Sequence, residues 1–245
     1  MNSGNIIENS NLIKPNEMNR LDGLLAIGFY FFNILILFLF GLVMFRTDLY
    51  SRFNVFENAN LNLLVFYIPI SLVTIFPIII ILYLRKQSLA SLGIKKSKTV
   101  KSIFLGILFA LPFTLPTLIY GIYNQYNVAN MGDLIWRFFY FLFCIGFVEE
   151  LAFRGFIQTR IRGIIKNQRL SIIVVGVMFG VMHIPFQMLL ANMSPIQFVL
   201  YDIKHLMITM LVHGYLVFIY SRDNNIVAPT ITHTLMDLIG NVFVG

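Results

Sequence analysis

Seven stretches of this chain are long and apolar enough to cross a lipid bilayer, which needs about 20 residues per helix. They are Leu24–Phe45, Leu63–Leu84, Ile103–Tyr123, Leu134 to about Ile157, Leu170–Leu190, Leu206–Tyr220 and Ile226–Val244. Residues 195–202 offer an eighth, short or re-entrant segment. Only 12% of the 245 residues are charged and 58% are hydrophobic, against about 25% charged in a soluble domain. The expected fold is therefore all-α: a polytopic transmembrane helix bundle of about seven to eight spans. No repeat or linker divides it, so residues 23–245 read as one transmembrane domain. The polar, Asn-rich residues 1–22 read as a flexible tail and lack the pattern of a signal peptide.

Charge sets the orientation. The net charge is +7, and its basic residues cluster in two connections. One carries Arg85, Lys86, Lys95, Lys96, Lys98 and Lys101; the other carries Arg160, Arg162, Lys166 and Arg169. The connection 124–133 carries none. The positive-inside rule then puts the N-terminus in the cytoplasm. No basic patch is interleaved with solvent-facing aromatics, so no nucleic-acid partner is expected. Cys144 is the single cysteine, which excludes an intrachain disulfide and a thiolate metal cluster; it reads as a packed thiol. Arg154 opens the segment RGFIQTRIRGIIK, whose alternating basic and apolar residues suggest an amphipathic continuation at the membrane surface. Gly176 and Gly180 form a G-x-x-x-G step suited to close helix packing.

Against this background the acids are conspicuous. Eight of the eleven, Asp22 among them, fall in tails or loops; Glu149, Glu150 and Asp237 lie within apolar spans. Each charge at mid-bilayer costs roughly 2.5–3.5 kcal/mol on insertion scales, so such residues mark a functional site. The four histidines, His183, His205, His213 and His233, also fall in or beside apolar stretches. The implied architecture holds a polar cavity inside the membrane.

Spacing divides the labour among these groups. Glu150 and Arg154 are four apart on one helix face and can pair. Glu149 lies about 100° around the helix and is left needing another partner. An unpaired carboxylate in a low-dielectric site can serve as a general base; the rival reading has both glutamates held by Arg154 and loop backbone. Phe179 and His183 are four apart and can stack. His233 and Asp237 are four apart, and an Asp in reach can orient the imidazole, or the two can form a polar clamp between helices. His213 lacks a charged partner at helical spacing and His205 lies near the membrane edge beside Lys204; both read as packing or interface residues.

Three motifs stand in order: E-E-x-x-x-R at Glu149, Glu150 and Arg154, F-x-x-x-H at Phe179 and His183, and H-x-x-x-D at His233 and Asp237. Together they resemble the CPBP family (CAAX proteases and bacteriocin-processing enzymes, also called Abi), over about residues 100–245. The resemblance implies an intramembrane endopeptidase. Glu149 and His183 would activate a water, His233 and Asp237 would stabilise the oxyanion, and Glu150, Arg154 and Phe179 would support the site. The prenyl-protein proteases of the family carry Asn at the last position, where Asp237 stands here. An ionised Asp repels an oxyanion, so Asp237 must be protonated, orient His233 or help to hold a metal.

A metal-free glutamate mechanism is the favoured expectation, since no H-E-x-x-H occurs. Zinc remains an alternative, with Glu149, His183, His233 and Asp237 as candidate ligands. The expected partners are a peptide, protein or lipidated-protein substrate, taken at the cytoplasmic side, and membrane lipid. The expected location is the cell membrane of a bacterium. Three other readings compete: acyl transfer to a lipid-linked amine on the same scaffold, a non-catalytic immunity partner for a secreted peptide, and a transporter, for which no inverted repeat is detectable. One geometric tension stands. Helical rise puts His183 roughly 20 Å from the cytoplasmic end of its helix and His233 only about 10 Å. A broken or late-starting fifth helix is expected to reconcile them.

Overall fold

The computed structural model describes residues 18–53 and 55–244. It is a bundle of seven principal helices: α1 (Arg20–Arg46), α2 (Ala59–Leu84), α3 (Thr99–Tyr123), α4 (Met131–Gly163), α5 (Gln168–Leu190), α6 (Pro195–Ser221) and α7 (Val227–Ile239). The first six are long and apolar enough to cross a membrane, so the chain is a polytopic helical membrane protein. The expected flexible tail falls, over residues 1–17, outside the described residues. Its last residues are ordered: Asn19 caps α1 in a reciprocal capping box with Asp22.

Two of the expected spans are drawn differently. Residues 195–202 and 206–220 are one helix, α6, whose backbone departs from helical angles at Asp202 (φ −108°, ψ 15°). The charged run Asp202–His205 looks like a gap in the sequence, but it is a kink within a continuous segment. The last apolar stretch forms a helix of only 13 residues, α7. Residues 240–242 then turn, and the strand Phe243–Val244 pairs with the α3–α4 connection, Asn127 opposite Val244 and Val128 opposite Phe243.

The helices make two distinct ends. At the first end, the start of α1 meets the end of α2, where Asp22 accepts from Arg85 Nε (2.9 Å) and Gln87 Nε2 (3.0 Å). Gln87 Oε1 in turn accepts from Arg160 Nη2 of α4 (2.9 Å), which also reaches Ser91 Oγ (2.6 Å). Asp22 is therefore a buried structural acid and not a tail residue. At the second end, Asn58 and Asn60 donate to Asp133 Oδ1 (2.9 and 3.0 Å), and Arg137 Nη1 donates to the Asn241 carbonyl (2.9 Å).

The segment after Phe153 does not lie at a surface. Residues 154–161 are all buried, because α4 crosses the bundle and fills its first end. Phe153, Phe156, Ile157 and Ile161 pack there with Ala26, Phe29, Ile78, Leu82 and Val175. The polar members find partners inside: Gln158 donates to Ser171 Oγ (3.1 Å) and its Oε1 meets His213 Nε2 (3.0 Å).

The same packing removes the difference in depth between His183 and His233. α5 runs unbroken from Gln168; it is α7 that begins inside the bundle. The α2–α3 connection folds inward as a single tight turn, Leu89–Leu92. A Cβ at Gly155 would lie 2.8 Å from the Leu92 carbonyl, so only glycine admits this approach, about 12 Å in from Gly163. Gly93, in the left-handed region at φ 83°, turns its carbonyl to accept Ile226 N–H (2.9 Å). That bond fixes the start of α7 well below the first end. The G-x-x-x-G step of α5 packs against α6, where a Cβ at Gly176 would stand 3.1 Å from the Met210 carbonyl.

Candidate active site

α4 carries the two glutamates between a pair of widened, π-helical turns, Phe141–Gly146 and Leu151–Ile157. Phe147 N–H reaches back to Leu142 O and Gln158 N–H to Phe153 O, five residues instead of four. Such turns shift the side-chain register and frequently occur at functional sites. Here they bracket Glu149 and Glu150.

The two carboxylates have separate fates. Glu150 is fully buried, with its Oε1 2.8 Å from Arg154 Nη1. The same oxygen accepts from His233 Nδ1–H at 2.8 Å. Glu149 lines the cavity and its side chain is 20% exposed; the Oε2 atoms of both glutamates are buried without a hydrogen-bond partner. Arg154 thus holds one glutamate only. Its guanidinium lies over the Phe179 ring, 4.3 Å from the centroid, a cation–π contact that helps to offset burial of the charge.

Phe179 is the hub on α5. Its ring meets Phe153, His183, His213 and His233, at centroid distances of 4.8, 5.0, 5.8 and 6.4 Å. His183 Nδ1 lies 2.7 Å from the Phe179 carbonyl. A carbonyl only accepts, so Nδ1 carries the proton and, in a neutral ring, Nε2 is an acceptor.

α7 reaches α4 because of Gly146, whose Cβ, if present, would stand 2.7 Å from Thr234 Oγ1 and 3.3 Å from the Thr230 carbonyl. This approach brings His233 to Glu150. With Nδ1 engaged, His233 Nε2 lies 3.6 Å from Asp237 Oδ2 and 4.0 Å from Glu149 Oε2. Both distances exceed a hydrogen bond.

Glu149, His183, His233 and Asp237 all line one cavity of about 490 Å³, within the usual range for a ligand site. Phe179 lines it as well, whereas Glu150 and Arg154 stand behind the wall. Its remaining lining includes Asn33, Tyr67, Tyr140, Cys144, Phe186 and His205. Motif reasoning did not reach these residues, since each is an ordinary member of an apolar helix. Cys144 is a buried thiol with Sγ 3.8 Å from the Leu64 carbonyl. His205 is not a bare interface residue: Nδ1 lies 2.9 Å from Asp202 Oδ2. His213 has its partner in Gln158, across 55 residues of sequence.

As arranged, the four cavity groups do not fit a metal. Among the described residues no group of three or more His, Cys, Asp or Glu side chains has the spacing to hold an ion.

Residues 131–239 match the family model for Type II CAAX prenyl endopeptidase Rce1-like proteins. Over these residues the chain is similar to the CPBP family. The match covers all three motifs, and the family is one of CAAX-type intramembrane proteases. No curated protein and no solved structure matches the chain.

Proposed function

We propose that this protein hydrolyses a peptide bond inside the membrane with side chains alone. The observation that carries the reading is the contrast between the two glutamates. Glu150 is fully buried and fixed by Arg154 and His233, while Glu149 lines the cavity with its side chain 20% exposed and approaches His233 Nε2 no closer than 4.0 Å.

Glu149 takes a proton from a water held between it and His183 Nε2, the free acceptor of that ring. The hydroxide attacks the scissile carbonyl. The resulting oxyanion is met by His233 Nε2–H, whose ring is oriented by the bond from Nδ1–H to Glu150. Donors fixed in place before reaction, in a site with little bulk water, contribute most of the stabilisation in such chemistry. Glu149 then returns its proton to the leaving amine as the carbon–nitrogen bond breaks. With His233 protonated, the cluster holds two cations, Arg154 and His233, against Glu149, Glu150 and Asp237. The net negative charge suits a base more than a resident oxyanion, so His233 must direct its proton at the developing charge. Asp237, at 3.6 Å, makes no hydrogen bond to the ring and adds a carboxylate beside it.

The substrate class is an apolar peptide or lipidated peptide, since aliphatic and aromatic side chains together make up most of the cavity wall. The orientation places the basic first end in the cytoplasm, in a bacterial cell membrane. The test uses purified protein in lipid nanodiscs with a library of apolar peptides, read by mass spectrometry of the products. Wild type is expected to cleave and Glu149→Gln to fail while keeping its melting temperature. Undiminished turnover in the variant overturns the assignment. Full activity after chelation and metal analysis supports the metal-free route; loss restored by zinc overturns it.

A further inference from the structure

We infer that Asn33 and Thr74 bind the main chain of an extended peptide, Asn33 Oδ1 accepting a backbone N–H and Thr74 Oγ1–H donating to a backbone carbonyl. The inference deepens the hydrolase reading and rests on it in one respect only, that the bound peptide is the substrate.

Away from their ends α1 and α2 carry few polar side chains, and Asn33, Tyr67, Ser71 and Thr74 among them line the cavity. Tyr67, Ser71 and Thr74, spaced four and three apart, share one face of α2. Asn33 stands at the middle of α1, about 20 Å from either end. All are buried, at a depth where acyl chains offer a polar group no partner. Neither helix falls within residues 131–239, which match the family model.

Packing leaves this wall with unused capacity. Asn33 Nδ2 donates to Met182 Sδ at 3.3 Å, and a thioether is a weak acceptor. Among the described residues Asn33 Oδ1 accepts no hydrogen bond, and it is not sealed away from the cavity its residue lines. Ser71 Oγ turns back to the Tyr67 carbonyl of its own helix (2.9 Å). Thr74 Oγ1 makes no such bond among the described residues, and it too is not sealed from the cavity. Polar groups that serve as glue between membrane helices close on one another; these two open on the space where a ligand sits.

A peptide at this depth brings one N–H and one C=O per residue, each costly if left unmet. Glu149, His183 and His233 act on the scissile bond and its water, and leave the neighbouring amides unserved. The α1–α2 wall supplies what those amides lack, a carboxamide oxygen for an N–H and a hydroxyl for a carbonyl. Met182 adjoins His183 on α5, so its bond to Asn33 sets this wall level with the reacting groups. From Tyr67 to Thr74 α2 rises about 10 Å, the length of about three extended residues. A hydrocarbon chain makes no demand on these groups. The wall therefore selects a peptide backbone over an acyl chain of similar bulk, with little regard for side-chain sequence.

A binding measurement tests the assignment without turnover. Glu149→Gln protein in lipid nanodiscs is equilibrated with the library of apolar peptides, and with the same peptides carrying an ester oxygen in place of one backbone N–H at a time. Retained ligands are counted by mass spectrometry. Ester replacement at one position is expected to lower retention about fivefold, the scale of one hydrogen bond. Adding Asn33→Leu should lower retention of the parent peptides by a similar factor and erase that positional effect. Adding Thr74→Val should lower retention about fivefold and leave the ester effect in place. The ester-to-amide ratio is internal to each protein, so a partial loss of folded material cancels. An ester effect unchanged by Asn33→Leu overturns the inference, as does retention without any positional effect, or no retention at all. The expected pattern in a protein whose wild type cleaves nothing would end the hydrolase reading and leave this one standing. Cleavage by wild type, with an ester effect indifferent to Asn33, does the reverse.

Discussion

His233 gives its Nδ1 proton to Glu150, at 2.8 Å, and not to Asp237, the acid one turn along its own helix. The bond joins α7 to α4 across 83 residues of sequence and makes Glu150 the common partner of an arginine and a histidine. Glu150 is thereby a structural carboxylate. Glu150→Ala leaves the fully buried Arg154 guanidinium without an anion, and breaking a buried pair from one side costs about 3–5 kcal/mol. Thermal unfolding in nanodiscs is expected to show a large loss of stability for Glu150→Ala and for Arg154→Ala, and little change for Glu149→Gln. A melting temperature for Glu150→Ala equal to that of wild type contradicts the division of roles.

His183 makes its one hydrogen bond to a carbonyl of its own helix, so its removal should spare the fold. His183→Leu is expected to keep the wild-type melting temperature and lose about 100-fold or more in turnover, the usual contribution of a positioned acid–base group. KM should change little. A loss confined to KM would mean that the ring binds substrate without handling the water.

Sequence made the helices, the pairing of Glu150 with Arg154 and the three motifs legible, because each is local: apolar length, or a spacing of four on one helix face. What it concealed was non-local. Asp202, Lys204 and His205 lower the hydropathy between two apolar runs, and nothing in the order of residues distinguishes a loop from a kinked helix beside a cavity. Arg160 in RGFIQTRIRG suggests a surface because its partners, Gln87 and Ser91, belong to the α2–α3 connection. The inward start of α7 depends on Gly155 and Gly93 meeting Leu92 and Ile226, contacts that become visible only once four segments are assembled. The cavity wall follows the same rule, with Tyr67 and Tyr140 in edge-to-face contact at 5.0 Å from two helices.

Asp237 stands 3.6 Å from His233 Nε2 and is 30% exposed in the cavity. At that distance it neither bonds the ring nor donates, and its charge opposes an oxyanion. Asp237→Asn removes the repulsion and supplies an N–H, so turnover should stay within about tenfold of wild type, the scale of one ordinary hydrogen bond. Asp237→Ala should fall further. Comparison of kcat for the pair decides the matter; an Asn variant as dead as Glu149→Gln would make the carboxylate itself indispensable.

The contact of α7 with α4 is the last element the site depends on, and Gly146 controls it. A methyl group there meets Thr234 Oγ1 at 2.7 Å in a fully buried setting. The helices must part, and His233 must leave Glu150. Gly146→Ala is expected to cost about 1–3 kcal/mol, as overpacked sites do, and to lower turnover with it. Thr234 Oγ1 has no hydrogen-bond partner, so Thr234→Ala removes little but the obstructing atom. The double variant Gly146→Ala, Thr234→Ala should therefore recover both stability and activity toward wild type. The coupling energy from the four proteins, by melting and by turnover, measures the contact directly. Additive losses would show that Gly146 acts through the widened turn of α4 and not through its approach to α7.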